Sequence, residues 1–443
     1  MRKFFLFILI INLTGCSGFY SLKRKEKIKF LEKKKKIENI ESIYRPKDVK
    51  PKLPELNQDS DISDFIKYAI FNNPKVEMAF YLWKEEVYKL ASERFLPEPK
   101  LSFEGTINSI LKELMTGIMF MFPKSGKIPL SVEFHSLEAE KKKLNFEYEI
   151  LKTIYKIKDI SYRYYLIEEK IKIVENIINL LEEIENINLS KLKVAKAFEK
   201  DILRIQIEKE QMKNMLLDMT DSKNYILKEF ASILRIPPEE KIPEPPRNLK
   251  FTDEAFTETE IWKLVKEKNP KLSIMEKEIK QAEIFIKLAY REYYPEVEAG
   301  IMRNFFSSMT MTKPLITLSL PWREKIKYQI YSGESALKMK KAEYSSELLE
   351  LAAVLSEALF RWRQANREKN LYEKILLPKA ESVFHLTKSN YIAGLSDIDE
   401  FLISEKTYYE FNINYLSSVV LREIILNEIF LTIAGIMPEE IWR

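Results

Sequence analysis

Few residues of this chain are spaced for chemistry. Cys16 is the only cysteine in 443 residues, which rules out an intramolecular disulfide, a multi-thiolate metal site and a CxxC redox pair. His135 and His385 are the only histidines, and no HExxH spacing joins them; each is expected as an ordinary helical surface residue. "SGKIP" (125–129) is not a phosphate-cradling loop, because that motif needs glycine five positions before Gly126 and Met121 stands there. Met115, Met119, Met121, Met309 and Met311 lie on or near predicted strands. Thioethers bind soft copper ions, but lipid-facing or gap-filling methionine is the expectation. Asp397, Asp399 and Glu400 form a compact acidic group at the start of a predicted helix, where acids complement the helix dipole. Acids are spread everywhere else and none stands out as a catalytic pair. No enzyme, cofactor or metal site is expected.

The flanks of Cys16 give it a use. Arg2 and Lys3 precede an unbroken apolar run, Phe4 to Ile11. That run has the length of a signal-peptide core and falls well short of the roughly 20 residues of a membrane-spanning helix. Leu13-Thr14-Gly15-Cys16 then resembles the bacterial lipobox, whose cysteine is acylated, with palmitate among the chains, and becomes the first mature residue. The alternative is an ordinary secretory signal with an incidental cysteine. Either reading exports the chain, and a body without cysteine suits an oxidising compartment. Ser17, in place of Asp, leans toward outer-membrane rather than inner-membrane sorting.

Only nine glycines are present, about a third of average usage. Charged residues, 31% of the chain, interleave with Leu, Ile and Tyr, the composition of long helices with solvated faces. The net charge of +5 is local. It comes from "KRKEKIKFLEKKKK" (23–36), and the chain after residue 60 is net acidic. The basic run is expected as a solvated tether, with attraction to anionic headgroups as the alternative. Nucleic-acid binding does not fit an exported protein.

A repeat organises the body. Asn73-Pro74-Lys75 recurs as Asn269-Pro270-Lys271, Pro99 as Pro295, "FPKSGKIPL" (122–130) as "LPWREKIKY" (320–328), and "IPPEE" (236–240) as "IMPEE" (436–440). The expected units are a signal peptide (1–15), anchor and tether (16–60), a first copy (61–240), a Pro-rich linker (241–256) and a second copy (257–443). Each copy opens with helix (61–95; 257–293) and continues with two short segments of strand character. "KLSFEGTIN" (100–108) alternates apolar and polar residues, "TGIMFMF" (116–122) is continuously apolar, and "PEVEAGI" (295–301) and "PLITLSL" (314–320) alternate again. Two long helices then close each copy (132–186 and 197–235; 326–388 and 397–434). The first of each pair runs more than fifty residues without proline, about 80 Å at 1.5 Å per residue. Such a helix needs partners along its length. Four strands of this length suit an outer-membrane barrel but cannot close one, and unpaired edges are not tolerated in lipid. Either the hairpins form a small sheet in water, or several chains pool their strands.

This order of elements behind a lipobox resembles the TolC-like outer-membrane efflux and secretion channels, over nearly all of residues 61–436. The most specific stretch is 386–435. It holds Tyr-x-x-Gly at a hairpin turn (Tyr391 to Gly394), then Glu400-Phe401-Leu402, then a later tyrosine, and it ends in Leu-x-x-x-Gly (Leu431 to Gly435). "FPKSGKIPLSVEF" resembles the strand-to-helix passage of the metal-efflux and lipoprotein branch. The resemblance implies a mainly α fold of long coiled-coil hairpins, with four β-strands per chain pooled by a homotrimer into a twelve-stranded barrel in the outer membrane. A helical tunnel would extend into the periplasm, with no reaction and no cofactor. It implies a periplasmic adaptor (membrane fusion) protein and an inner-membrane transporter as partners, in a tripartite efflux or type I secretion system. Ala393, Gly394 and Leu395 would form the adaptor-contact tip, and Asp397, Asp399 and Glu400 an acidic gate of up to nine carboxylates around the pore. The first copy departs from the pattern, with Ala195 where the second has Gly394. Tyr391, Tyr408, Tyr409 and Tyr415 are expected to pack helix interfaces. The rival expectation is a lipid-anchored periplasmic coiled-coil structural or interaction protein without a pore.

Overall fold

The computed structural model describes residues 30–57, 60–108, 110–193, 198–237, 239–252, 257–304 and 312–433. Cys16, Ala195, Met309, Met311 and the "IMPEE" segment lie outside them.

Helix α1 (30–44) leads into α2 (Ile62–Asn72) and α3 (Pro74–Ser92). The repeated Asn-Pro pair separates two helices in each copy. Asn73 Oδ1 accepts the Lys75 N–H at 3.0 Å, and Asn269 Oδ1 accepts the Leu272 N–H at 3.0 Å. The proline that follows sits in the first helical turn, where its missing N–H costs nothing. The second copy repeats the arrangement with α6 (Glu258–Lys268) and α7 (Pro270–Arg291).

The strands are β1 (Lys100–Asn108), β2 (Ile110–Phe122), β3 (Glu296–Asn304) and β4 (Thr312–Ser319). They form one antiparallel four-stranded sheet in the order β1-β2-β3-β4. The two hairpins therefore join across the copies through β2 and β3. After β2 the chain enters α4 (Lys127–Lys193), a 67-residue helix about 100 Å long, longer than expected at both ends. It returns through α5 (Glu199–Leu234). In the second copy α8 (Arg323–Leu371) does not run on unbroken as expected. A π turn (Tyr372–Leu376) precedes α9 (Leu377–Ala393), and α10 (Ile398–Ile433) returns. The cause is Pro378, which lacks an N–H and whose ring crowds the carbonyl four residues back. Widening the turn, with the Leu377 N–H donating to the Tyr372 carbonyl, lets the helix pass.

Among the described residues three large apolar cores and a small one, Ala289 with Ile326 and Ile330 between α7 and α8, hold the helices. One packs α1 to α4 with the end of α5. One lies where α4, α5, α9 and α10 run together near the hairpin ends, and one joins α6, α7, α8 and α10. The described part of the Pro-rich linker (241–252) has no regular secondary structure and is pinned to the body. Pro245 and Pro246 are buried, the Tyr162 hydroxyl donates to the Lys250 carbonyl at 2.5 Å, and the Thr252 N–H donates to Glu423 at 3.1 Å.

The basic stretch departs from the expected solvated tether from residue 30 onward. Ile37 and Tyr44 are buried in the first core. Lys33 donates to the Ser136 carbonyl at 2.7 Å and to Glu140 at 2.9 Å. Arg45, 1% exposed, reaches Glu77 and the Tyr44 and Phe71 carbonyls. Apolar residues at helical spacing within the lysine run supply the buried face, and carboxylates of the body neutralise the charge.

Candidate functional site: the sheet and the helical tip

Register sorts the strand residues into two unlike faces. Leu101, Ile118, Ile301 and Pro314 align across the sheet, and Phe103, Phe120, Phe122, Ile316 and Leu318 share their face. This face is mostly apolar, with one polar row of Thr116, Arg303 and Thr312 beside Phe103, and it is solvent-facing: Leu101 is 70% exposed, Phe103 69% and Ile316 68%. The opposite face carries Lys100, Ser102, Glu104, Glu298 and Lys313, with a 2.9 Å ion pair from Lys100 to Glu298. Met115, Met119 and Met121 lie on this polar face, not on the apolar one, which corrects the lipid-facing expectation. Gap filling holds for Met119, which lies across Gly300: a Cβ there would stand 2.7 Å from Met119 Cγ and 2.5 Å from the Ile118 carbonyl. Met302, which the sequence did not single out, lies across Gly117 in the same way, 2.5 Å from such a Cβ.

The helix-side end of the sheet is ringed by exposed aromatic residues: Phe95, Tyr293, Tyr294, Trp322 and Tyr328. Such rings fit a membrane–water boundary. Lys124 and Lys127 pair there with Glu292. Gly126, at φ +78°, makes the turn into α4 against the Arg291 guanidinium. Within the chain, β1 and β4 each pair on one side only, so the sheet has two open edges.

The tip lies at the other end of the helices. α9 ends at Ala393, and Gly394 takes the left-handed conformation at φ +78°. The Gly394 N–H donates to the Tyr391 carbonyl at 3.1 Å and the Leu395 N–H to the Asn390 carbonyl at 2.8 Å, closing the helix as glycine C-caps do. Leu395 is 78% exposed. Asp397 precedes α10, and Asp399 and Glu400 occupy its first turn; all are exposed. Of the three acids, Asp399 is paired with Arg204 near the start of α5.

Other links bind the second-copy tip to the first copy. The Tyr391 hydroxyl donates to Asn188 Oδ1 at 2.6 Å, in the buried core, and Lys191 donates to the Ile392 carbonyl at 2.9 Å. Tyr409 is buried and Tyr408 stacks on Phe384 at 5.2 Å, as interface packing required. His135 departs from the surface expectation and sits half-buried beside Glu86, at 3.5 Å; His385 is exposed. Sequence reasoning missed Asn188, Arg204 and Glu405. The signal for Asn188 and Glu405 was a polar residue on an otherwise apolar helical stripe. Glu405 is 2% exposed and neither carboxylate oxygen has a hydrogen-bond partner. Burial, with Glu208 adding to it and Lys406 opposing, pushes its carboxyl up to about 8.

Among the described residues no group of His, Cys, Asp and Glu is placed to hold a metal ion, and no helix is long and apolar enough to cross a membrane. A sheet with one apolar face, mounted on helices about 100 Å long, defines the fold class of the TolC-like channels. The solved structures agree. The Neisseria gonorrhoeae MtrE outer membrane channel, in its open state, is similar at TM-score 0.70 and 16% identity, over 87% of this chain and 96% of that one. The outer membrane protein VceC of Vibrio cholerae matches at TM-score 0.68 and 13% identity, over 84% and 96%. CusC, described for its transmembrane channel formation, matches at TM-score 0.70 and 13% identity, over 84% and 92%. At the level of sequence, no protein-family model and no curated protein matches the chain.

Proposed function

We propose that this chain is one third of a homotrimeric outer-membrane channel, the exit duct of a tripartite efflux or type I secretion system. The observation that carries this reading is the open sheet. Its exposed apolar face and two unpaired edges suit lipid only if copies close it, edge to edge, into a barrel. The helices support the same assembly. On α5, Leu203, Ile207, Leu217 and Tyr225 form an exposed stripe on one side of the helix. Between α9 and α10 a groove of about 860 Å³, lined by Val383, Gly394, Leu395 and Ile403 among others, lies open. A second copy of the chain is the occupant that continues the barrel contact along both. The fold likeness to MtrE, an outer membrane channel, supports the reading.

In this assembly Cys16 carries the lipid anchor in the outer membrane and the helices reach into the periplasm. Ala393, Gly394 and Leu395 meet a periplasmic adaptor, which links the duct to an inner-membrane transporter. Asp397 and Glu400 line the periplasmic mouth as the selectivity ring, with Asp399 held by Arg204. No cofactor is needed.

The test is the mass of the purified full-length protein in detergent, corrected for bound detergent. A mass of three chains is expected. A monomer that stays soluble without detergent once Cys16 is replaced would sink the channel and leave a lipid-anchored coiled-coil protein without a pore.

A further inference from the structure

Phe401, Glu405 and Tyr409 follow one another a helical turn apart on α10 and face the core near the tip. Phe401 and Tyr409 belong there; a carboxyl group without a partner does not. The surrounding helices offer Glu405 no cation. α4 faces this core with Ile177, Leu181 and Ile184, and α9 with Phe384 and Tyr391. Their nearby charges are committed elsewhere: Glu185 of α4 to Lys209 and Gln206 of α5, and Lys388 of α9 to Glu183 of α4 at 3.6 Å. Arg204 of α5 holds Asp399. α5 presents Ile205 and Met212 together with Glu208, a like charge. Lys406, exposed on the neighbouring position of α10, is the cation that acts on Glu405.

We infer that Glu405 is a protonation-controlled wedge: neutral, it lets α10 pack into the tip core, and ionised, it drives α10 out toward water. The carboxyl ionises near the ordinary 4.5 when hydrated and near 8 when packed. The packed state therefore binds the proton more tightly. Its advantage is fully present below about 4.5 and is lost as pH rises through about 8. One proton released per opening event makes opening about tenfold more favourable per pH unit inside that window.

The experiment is amide hydrogen exchange over 398–412 in the full-length, detergent-solubilised protein, corrected for the intrinsic chemical rate, from pH 5.5 to 9. The expected result is protection that falls up to about tenfold per unit until about pH 8 and then levels off. Glu405→Gln should hold protection across the range. Glu208→Gln, at a half-buried position, should reduce the total fall, because removing a like charge brings the two ionisation values closer. If that first variant fails to assemble, the second carries the test. Protection independent of pH in the unaltered protein, or an equal fall in either variant, would overturn the wedge. The effect on ion flow rests on the channel reading: conductance in planar bilayers should rise from pH 6 to pH 8.5. An exchange response without conductance at any pH would leave the wedge standing and sink the channel.

Discussion

Two glycines of this chain serve different physical needs, and their replacement by alanine separates them. Gly394 has nothing within 4 Å of a would-be Cβ, so only its φ of +78° matters. Gly394→Ala should cost about 1 kcal/mol, read as a small fall in thermal midpoint with assembly unchanged. Gly300 has an ordinary conformation but no room, with the Ile118 carbonyl and Met119 in the way. Gly300→Ala should cost about 1–3 kcal/mol and loosen β2 from β3, seen as earlier heat dissociation of the proposed trimer. Equal effects at the two sites would contradict the geometry. The tip acids also separate at this scale. Asp399 neutralises Arg204, so Asp399→Ala should expose a cation and, in the channel proposed above, move reversal potentials toward anions. Asp397→Ala with Glu400→Ala should weaken cation preference without that step. Identical shifts would mean that Arg204 does not hold Asp399 in solution.

At the scale of elements, α1 is the clearest case of charge deciding position. Burial raises the Glu140 carboxyl, but hydrogen bonds from Lys277 and Lys33 outweigh it and hold the group below the ordinary range. Its stabilising contribution is therefore present above about 4.5 and is lost as pH falls through the lower folded value. The Lys33–Glu140 pair is partly exposed, 17% and 42%, which limits its coupling to about 1 kcal/mol or less. A double-mutant cycle with Lys33→Ala and Glu140→Gln should show that coupling at pH 7, weakening as pH falls below the ordinary carboxylate range. Coupling that does not weaken as acid protonates Glu140 would mean that packing of Ile37 and Tyr44, not charge, docks the helix. The π turn before Pro378 is a second element-scale device, since it carries a continuous helix past a residue that would otherwise break it.

At the scale of the whole molecule, the two copies are not two domains. α4 of the first copy packs against α7 and α10 of the second, and β2 joins β3 in one sheet. Neither copy keeps its hairpin paired on both sides alone, and the pair together still leaves two edges open. In the assembly proposed above, further chains meet the same deficit that joins the copies, which is why detergent-corrected mass tests the channel directly.

The helices, the strand pairs and their duplication were legible in the residues alone. Those features rest on local periodicity, proline placement and the recurrence of Asn73-Pro74 as Asn269-Pro270, all of which act over a few residues. The tip turn was legible too, because Gly394 meets a backbone need that few residues satisfy. Which partners the polar groups found was settled only by packing. Arg204 lies far along the chain from Asp399, and Asn188 from Tyr391, and no local pattern couples them. Packing likewise put Met115 and Met119 on the polar face, because strand register is set by pairing across the sheet and a shift of one residue would reverse every side chain. The folding of the lysine run onto the body followed from Glu140 on α4 and Lys84 on α3, whose ion pairs with Lys33 and Glu41 exist only once the packed molecule brings them within reach.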